Sequence, residues 1–381
     1  MNFRSYEIKD ICKIKSGKRL PKGTDFSEKP TKHKYIRARD IKNGKIDGSD
    51  LGYISEEIHK KIARYIVNTN DIIITIAGTI GEVALVSKKF DGVNLTENAV
   101  RLTEFSKDVC PEFLAYILKS PERKEYMEQV AGGSAQPKLG IYKIEAIKVD
   151  LPDIQIQHKI ADILSAYDDL IENNQKQIKL LEEAAQRLYK EWFVDLRFPG
   201  HENTKIVDGV PEGWSRGLLK ELISVNYGKD HKKAPDDGNI PVYGSGGLMR
   251  KCNKSLFSGE AVLIPRKGSL NNIMYVDETF WTVDTMFYAT MKQPHTAVFV
   301  YFFVKAFDMY SMNIGAAVPS MTTKILDAMD VVIPDKETLE KFDKLTKTYF
   351  NKIKTLQGQN ERLKIARDLL LPKLMSGEVE V

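Results

Sequence analysis

The sequence predicts an α+β chain in which two similar mixed α/β domains are separated by two long antiparallel coiled-coil helices, related by a pseudo-twofold internal repeat. Three observations predict it. One order of short motifs occurs twice along the chain. Each copy begins with short β-branched runs broken by Gly and Asn. Each copy then ends in a long segment with a heptad seam.

The duplication is read from fixed offsets. Gly133-Ser-Ala-Gln-Pro137 and Ile147-Lys-Val-Asp-Leu-Pro152-Asp153 recur as Gly315-Ala-Ala-Val-Pro319 and Val331-Val-Ile-Pro334-Asp335, 182 residues on. Ile72 to Ile80, containing Gly78, pairs with Val262 to Leu270, containing Gly268, 190 on. Ile8-Lys-Asp-Ile11 and Gly17-Lys18 pair with Leu219-Lys-Glu-Leu222 and Gly228-Lys229, 211 on. The β-branched runs predict mainly antiparallel strands. A helical segment is expected at about Pro111 to Val130 and again at about His295 to Met312. Gly78 and Gly268 read as turn glycines.

In the first long segment Ile160, Tyr167, Asn174, Leu181 and Leu188 recur every seventh residue, with Ile163/Leu164, Leu170/Ile171 and Ala184/Ala185 among their companions. The second carries Phe342, Tyr349, Leu356, Leu363 and Leu370, with Leu345, Ile353, Ala366 and Leu374. Five heptads with charged flanks predict a coiled-coil-like helix rather than one buried all round. Asn174 interrupts its seam as a polar register residue. Asp153 and Asp335 are expected N-caps; Pro199-Gly200 close the first helix, and Pro372 with Gly377 the second. From Ile156 to Phe193 the first would run about 57 Å. Each wet seam needs a partner, and the other helix is the economical one. The Gly- and Pro-bearing linker from Phe198 to Trp214 favours antiparallel packing, since a domain sits at the start of each helix.

Composition bounds the function. The chain has 381 residues, 42% hydrophobic and 29% charged, and a net charge of +5. Its longest apolar run, Val298 to Val304, is too short for a bilayer. Met1 to Asp10 lacks an apolar export core, and three dispersed cysteines fit a reduced cytoplasmic setting without disulfides or zinc. Residues 1 to 64 carry 17 Lys+Arg against 9 Asp+Glu, whereas residues 200 to 334 carry 14 of each. Phosphate-loop, dinucleotide and methyltransferase signatures are lacking, and Gly244-Ser-Gly-Gly247 has the wrong spacing for a nucleotide loop. The repeated Pro-Asp pairs read as caps, not as nuclease carboxylates. No catalytic residue, metal ligand or cofactor site is therefore expected in this chain.

Leu151-Pro-Asp-Ile-Gln-Ile-Gln157, Leu188-Tyr-Lys-Glu-Trp-Phe193 with Phe198-Pro-Gly200, Pro211-Glu-Gly-Trp214, Ile240-Pro-Val-Tyr-Gly244-Ser-Gly246, Gly259 to Gly268 and Leu369 to Gly377 together resemble type I restriction–modification specificity subunits. The resemblance covers essentially the whole chain. It implies target-recognition domain 1 at 1–152, a first spacer helix at 153–197, a linker at 198–213, target-recognition domain 2 at 214–333, and a second spacer helix with its tail at 334–381. It further implies that each domain reads one half of a bipartite double-stranded DNA target. Two methyltransferase (modification) subunits would dock on the helices, and restriction/translocase subunits would join them. S-adenosylmethionine, ATP and Mg²⁺ would belong to those partners. Two readers on a rigid spacer also suit fixed half-site spacing, since about 57 Å exceeds the roughly 34 Å of one duplex turn.

Phosphate contacts need Lys, Arg and amides; base readout needs Arg, Lys, Asn, Gln or Ser on loops. The candidates are Lys18, Arg19, Tyr35, Arg37 and Arg39 in the first domain. In the second they are Lys229, Lys232, Ser245, Arg250, Arg266 and Lys267. Arg37 and Arg39 are expected on one strand face beside Tyr35. Each candidate is equally well read as a solvated surface charge. Trp192, Phe193, Leu374 and Met375 either anchor a modification subunit or close the ends of the helical pair. Two alternatives stay open: an orphan specificity subunit of a modification-only complex, and a coiled-coil protein-interaction scaffold.

Overall fold

The computed structural model describes residues 3–132, 137–312 and 320–381. The chain forms two compact units, one of Met1–Glu172 with Asn360–Val381 and the other of Asn173–Gln359. The repeated Gly133–Gln136 and Gly315–Pro319 motifs lie outside the described residues.

The first unit is built on an antiparallel sheet in the order Lys13–Ser16, Ala99–Thr103, Ile72–Thr75, Val83–Leu85. The run Ile72-Ile73-Ile74 is fully buried because alternate residues feed different cores. Ile72 and Ile74 join Val100, Leu102, Phe113 and Leu114. Ile73 joins Ala84, Val86, Leu95 and Ala99. A smaller sheet sets His33–Ile36 between Gly52–Ile54 and Asn94–Leu95. Its last pairing, Tyr35 with Asn94, is parallel.

The second unit repeats this topology. Its sheet runs Ile223–Tyr227, Met286–Met291, Phe257–Pro265, Met274–Thr282, Ile240–Gly244, Gly247–Cys252. The sequence offsets reappear as hydrogen-bond register. Ile72 pairs with Leu85, and Val262 pairs with Tyr275, each 190 further on. Arg4 pairs with Leu151, and Ser215 pairs with Ile333, the shifts being 211 and 182. The parallel pairing recurs as Val242 with Trp281. A one-residue slip would turn every core side chain outward, so shared register means a shared core pattern.

The long helices span Ile154–Tyr189 and Lys336–Ser376. In the second, buried Phe342, Thr346, Ile353, Leu356, Asn360 and Leu374 follow the heptad seam, while Thr338, Leu339 and Asp343 widen the buried stripe at its start. Leu345, expected on that seam, is 45% exposed, and Thr346 takes the inward place with its hydroxyl on the Phe342 carbonyl at 2.8 Å. Asn174 is buried as a seam residue. In the first unit Ile160 and Leu164 share a core with Leu370, Leu371 and Leu374. In the second, Ala185, Tyr189 and Trp192 share one with Leu339 and Phe342. Within each unit the start of one helix therefore lies beside the end of the other, and the two run antiparallel.

The helix ends correct two expectations. Asp335 caps as expected: Oδ1 accepts the Thr338 amide at 2.9 Å and Oδ2 the Trp214 indole at 2.9 Å. Pro372, however, does not stop the second helix, which continues to Ser376 before Gly377 turns at φ 75°. So near the end, a proline removes one backbone bond while Leu370, Leu371 and Leu374 hold the turn against the core. The helical segment expected from Pro111 is split into Pro111–Lys119 and Pro121–Ala131. Ser120 precedes a proline, adopts extended backbone and caps the second piece. Its counterpart is the single helix Ala297–Lys305. Among the described residues no helix is long and apolar enough to cross a membrane.

Candidate nucleic-acid interface

One end of each central sheet gathers the turns after Gly17 and Gly228. In the first unit the Gly17 amide donates to the Ala99 carbonyl at 3.1 Å and the Lys18 amide to Leu95 at 2.8 Å. In the second, Gly228 donates to Met286 at 3.0 Å and Lys229 to Thr282 at 2.9 Å. The loop after the neighbouring strand arrives beside them. Leu139 donates to the Ile76 carbonyl at 2.9 Å, and Met321 to the Arg266 carbonyl, also at 2.9 Å. Gly78 and Gly268 turn that loop at φ 80° and 84°, as left-handed turn positions require.

In the second unit this end collects most of the candidates. The Arg266 guanidinium lies 5.6 Å from the Tyr227 ring centroid and donates to the Asp284 carbonyl at 3.2 Å. Among the described residues it has no carboxylate within ion-pair distance. Lys267 and Lys229 are exposed beside it. Ser245 belongs to the same end, its carbonyl accepting from Asn272 at 2.9 Å. Lys232 is exposed on the following turn, His231–Lys233. Arg250 is different. Its guanidinium grips the Asp236 carboxylate and the His231 and Ala234 carbonyls, the last at 2.7 Å. It is a brace for the 230–236 loop and is spent on the fold.

In the first unit Lys18 is exposed, with Nζ 5.9 Å from the Tyr65 ring, over which Arg64 also lies at 5.5 Å. Arg19 is exposed and paired with Glu97 at 2.5 Å. The shared strand face expected for Tyr35, Arg37 and Arg39 needs correction, because the strand ends at Ile36 and residues 38–40 form a tight helical turn. Arg37 Nε meets Asp40 Oδ2 at 2.9 Å and Nη2 meets Oδ1 at 3.0 Å, a bidentate pair that folds the turn. Arg39 points to Asp50 at 3.1 Å and stays mostly exposed. Tyr35 is 3% exposed, and its hydroxyl donates to the Lys18 carbonyl at 2.6 Å. Burial pushes that phenol up to about 12, so it remains a neutral donor.

The packing favours one of the two readings left open for Trp192, Phe193, Leu374 and Met375. Trp192 and Leu374 are buried, and Phe193 and Met375 pack against the cores. Phe193 stands edge-on to Phe342 at 4.8 Å and to Phe299 at 4.9 Å. They close the helical pair. The most exposed apolar residues of the two long helices include Leu170, Leu180, Leu345, Ile365 and Leu369. The sequence reasoning placed Leu170 and Leu345 on the buried seam, and it missed the exposure of Leu180, Ile365 and Leu369 and the placement of Tyr227, Tyr65 and Arg64. An aromatic next to a Gly-Lys pair was the available signal for Tyr227. Among the described residues no group of three or more His, Cys, Asp or Glu is placed to hold a metal. Cys12, Cys110 and Cys252 are unpaired and buried, and burial raises the Cys12 thiol to about 12 and the Cys110 thiol to about 11.

The model of the type I restriction modification DNA specificity domain matches the chain twice, over residues 2–183 and 211–364. The MjaIX type I restriction enzyme specificity subunit of Methanocaldococcus jannaschii is 27% identical over 86% of this chain and 82% of its own length. The HindI specificity subunit of Haemophilus influenzae is 23% identical over 99% of this chain and all of its own. The crystal structure of a type I restriction–modification S subunit from M. genitalium covers 98% of this chain and 96% of its own, with TM-score 0.66 and 20% identity, a likeness of fold.

Proposed function

Because the chain belongs to the family of type I restriction–modification specificity subunits, we propose that each of its two domains reads one half of a bipartite double-stranded DNA target. The domains are taken as residues 1–152 and 214–333. The observation that carries this reading is the duplication of sheet, register and Gly-Lys turn, which supplies two equivalent readers in one chain. The helices at 153–197 and 334–381 set the gap between half-sites and dock two methyltransferase subunits, with the exposed Leu170, Leu180, Leu345, Ile365 and Leu369 as the apolar contacts. Restriction/translocase subunits complete the assembly, and S-adenosylmethionine, ATP and Mg²⁺ are bound and used there. This chain contributes recognition, not chemistry.

The DNA-facing end works by two kinds of contact. Among the described residues, exposed Lys18, Lys229, Lys232 and Lys267 have no carboxylate within ion-pair distance, and they suit phosphates. Arg266 lies 5.6 Å from the Tyr227 ring centroid and is held by the Asp284 carbonyl, which suits a guanine edge or a narrow groove. Arg19 and Arg39 serve once their surface carboxylates, weakly held in water, are exchanged for DNA.

Methylation profiling of genomic DNA tests the reading. In cells holding the modification subunits, deleting this gene should abolish methylation at one split motif. An unchanged methylation pattern, or methyl transfer by the isolated chain, would overturn it.

A further inference from the structure

We infer that the Gly-Lys turn of each domain, Gly17-Lys18 and Gly228-Lys229, is that domain's anchor on the DNA sugar-phosphate backbone, and that Tyr35 and Trp281 are its positioning residues. The inference rests on the DNA-reading role proposed above. Two readers of different half-sites must differ where they meet bases. What both half-sites share is the phosphodiester chain. A feature kept in both copies at one register is therefore matched to the shared chemistry.

The turn is kept in unusual detail. A Cβ on Gly17 would stand 2.0 Å from the Thr96 carbonyl oxygen, and one on Gly228 2.0 Å from that of Val283, so no side chain fits at either. The two lysine amides are tied to the carbonyls of Leu95 and Thr282, equivalent positions of the parallel strand pair in each unit. The lysine carbonyls are tied as well, but by unlike groups. Tyr35 Oη donates to Lys18 at 2.6 Å, and Trp281 Nε1 donates to Lys229 at 3.1 Å. These donors do not occupy equivalent positions. In the parallel strand pair of each unit Tyr35 corresponds to Val242, and Trp281 corresponds to Asn94. The same bond thus reaches the same carbonyl from opposite members of the pair: the contact is kept although the residue is not.

The physical reason is the direction of a dipole. A lysine carbonyl left outward would set negative charge beside a phosphate. Drawn inward by a buried donor, it leaves the main chain fixed at amide and carbonyl and sends the ammonium into solvent, where Lys18 and Lys229 are both exposed. Positions that differ between the units are the ones left for sequence. Arg266-Lys267 stand where the first unit has Ile76-Ala77, in the same backbone pairing.

The test measures binding of the full chain to a 30-base-pair duplex of arbitrary sequence over a salt series, by fluorescence anisotropy. Lys18→Ala and Lys229→Ala should each weaken binding about three- to tenfold and lower the salt exponent by about one, whatever the duplex sequence. Lys107→Ala, on an exposed loop elsewhere, should change neither. Tyr35→Phe removes only the donor and should weaken binding about two- to fivefold in the parent chain. It should have no further effect in the Lys18→Ala chain, a coupling that general destabilisation would not produce. Trp281→Phe should behave likewise with Lys229→Ala. If the parent chain binds with salt dependence but both lysine variants keep its exponent, or if Tyr35→Phe is fully additive with Lys18→Ala, the inference is overturned. If the parent chain shows no salt-dependent binding, the DNA-reading role itself fails.

Discussion

Replacing Asp168 with Asn should loosen the first domain from its helices in a salt-dependent way. In the first unit the Asp168 carboxylate accepts the Tyr116 hydroxyl at 2.7 Å and the Arg367 guanidinium at 2.5 Å. Lys119 lies 5.3 Å from the Tyr116 ring, and Lys45 pairs with Glu172 at 2.9 Å. The repeat equivalents in the second unit are Phe302, Phe350 and Ala185, which join an aromatic core. Phe350 lies 4.7 Å from Tyr275 and 6.4 Å from Phe302. Asp168 and Arg367 keep 20% and 28% of their side chains exposed, so the full penalty for breaking a buried pair, about 3–5 kcal/mol, must be discounted. Asp168→Asn should cost about 2 kcal/mol at 0.1 M NaCl, and noticeably less at 1 M, where the residual charges are screened. Phe350→Ala should cost about 3–4 kcal/mol, with no such relief from salt. Urea unfolding of both variants at the two salt concentrations reads this out. Equal salt responses, or a cost below about 0.5 kcal/mol for Asp168→Asn, would refute the view that one junction is ionic and the other aromatic.

Burial pushes Lys119 down to about 8 from its ordinary 10.5, so between those values the unfolded chain binds a proton that the folded one does not, and stability should rise with pH. Lys119→Met should flatten that rise and stabilise the fold at pH 7 by about 1–3 kcal/mol; an unchanged pH profile in thermal unfolding would contradict this. Asp335→Asn should cost about 1 kcal/mol at pH 7. Burial raises its carboxyl, but bonds from Thr338 and Trp214 outweigh this and hold it below the usual range. The parent's advantage should therefore vanish as pH falls below about 4. Arg250→Ala should destabilise the second domain by about 2 kcal/mol, seen by calorimetry, because two carbonyls and Asp236 lose their donor. Arg266→Ala should leave stability within about 0.5 kcal/mol and weaken DNA binding; the opposite pattern would reverse the two roles.

The sequence carried the architecture because repetition samples one pattern twice. Offsets of 182, 190 and 211 found among short motifs reappear as strand pairings, since register is a property of whole hydrophobic faces. The heptad seam was legible in its repeat and in the buried Asn174, but not at Leu170 and Leu345, which face outward. Side-chain roles at the candidate site were less so, and for a specific reason. Arg250 and Arg266 look alike in sequence; what separates them is that loop carbonyls from His231 and Ala234 curl back onto one and not the other. Tyr35 reads as a strand aromatic, and nothing local reveals that its hydroxyl meets Lys18 across the fold. Trp192 and Leu374 were ambiguous because an exposed anchor and a core plug share the same heptad position, and only packing decides.

The decisive measurement is a domain exchange. Residues 1–152 would be replaced by the corresponding domain of another family member, the chimera expressed with its modification subunits, and the methylated motif read from genomic DNA. One half of the motif should change while the other half and the gap between them stay as they were. A motif altered in both halves, or a changed gap, would contradict two independent readers carried on a common helical spacer.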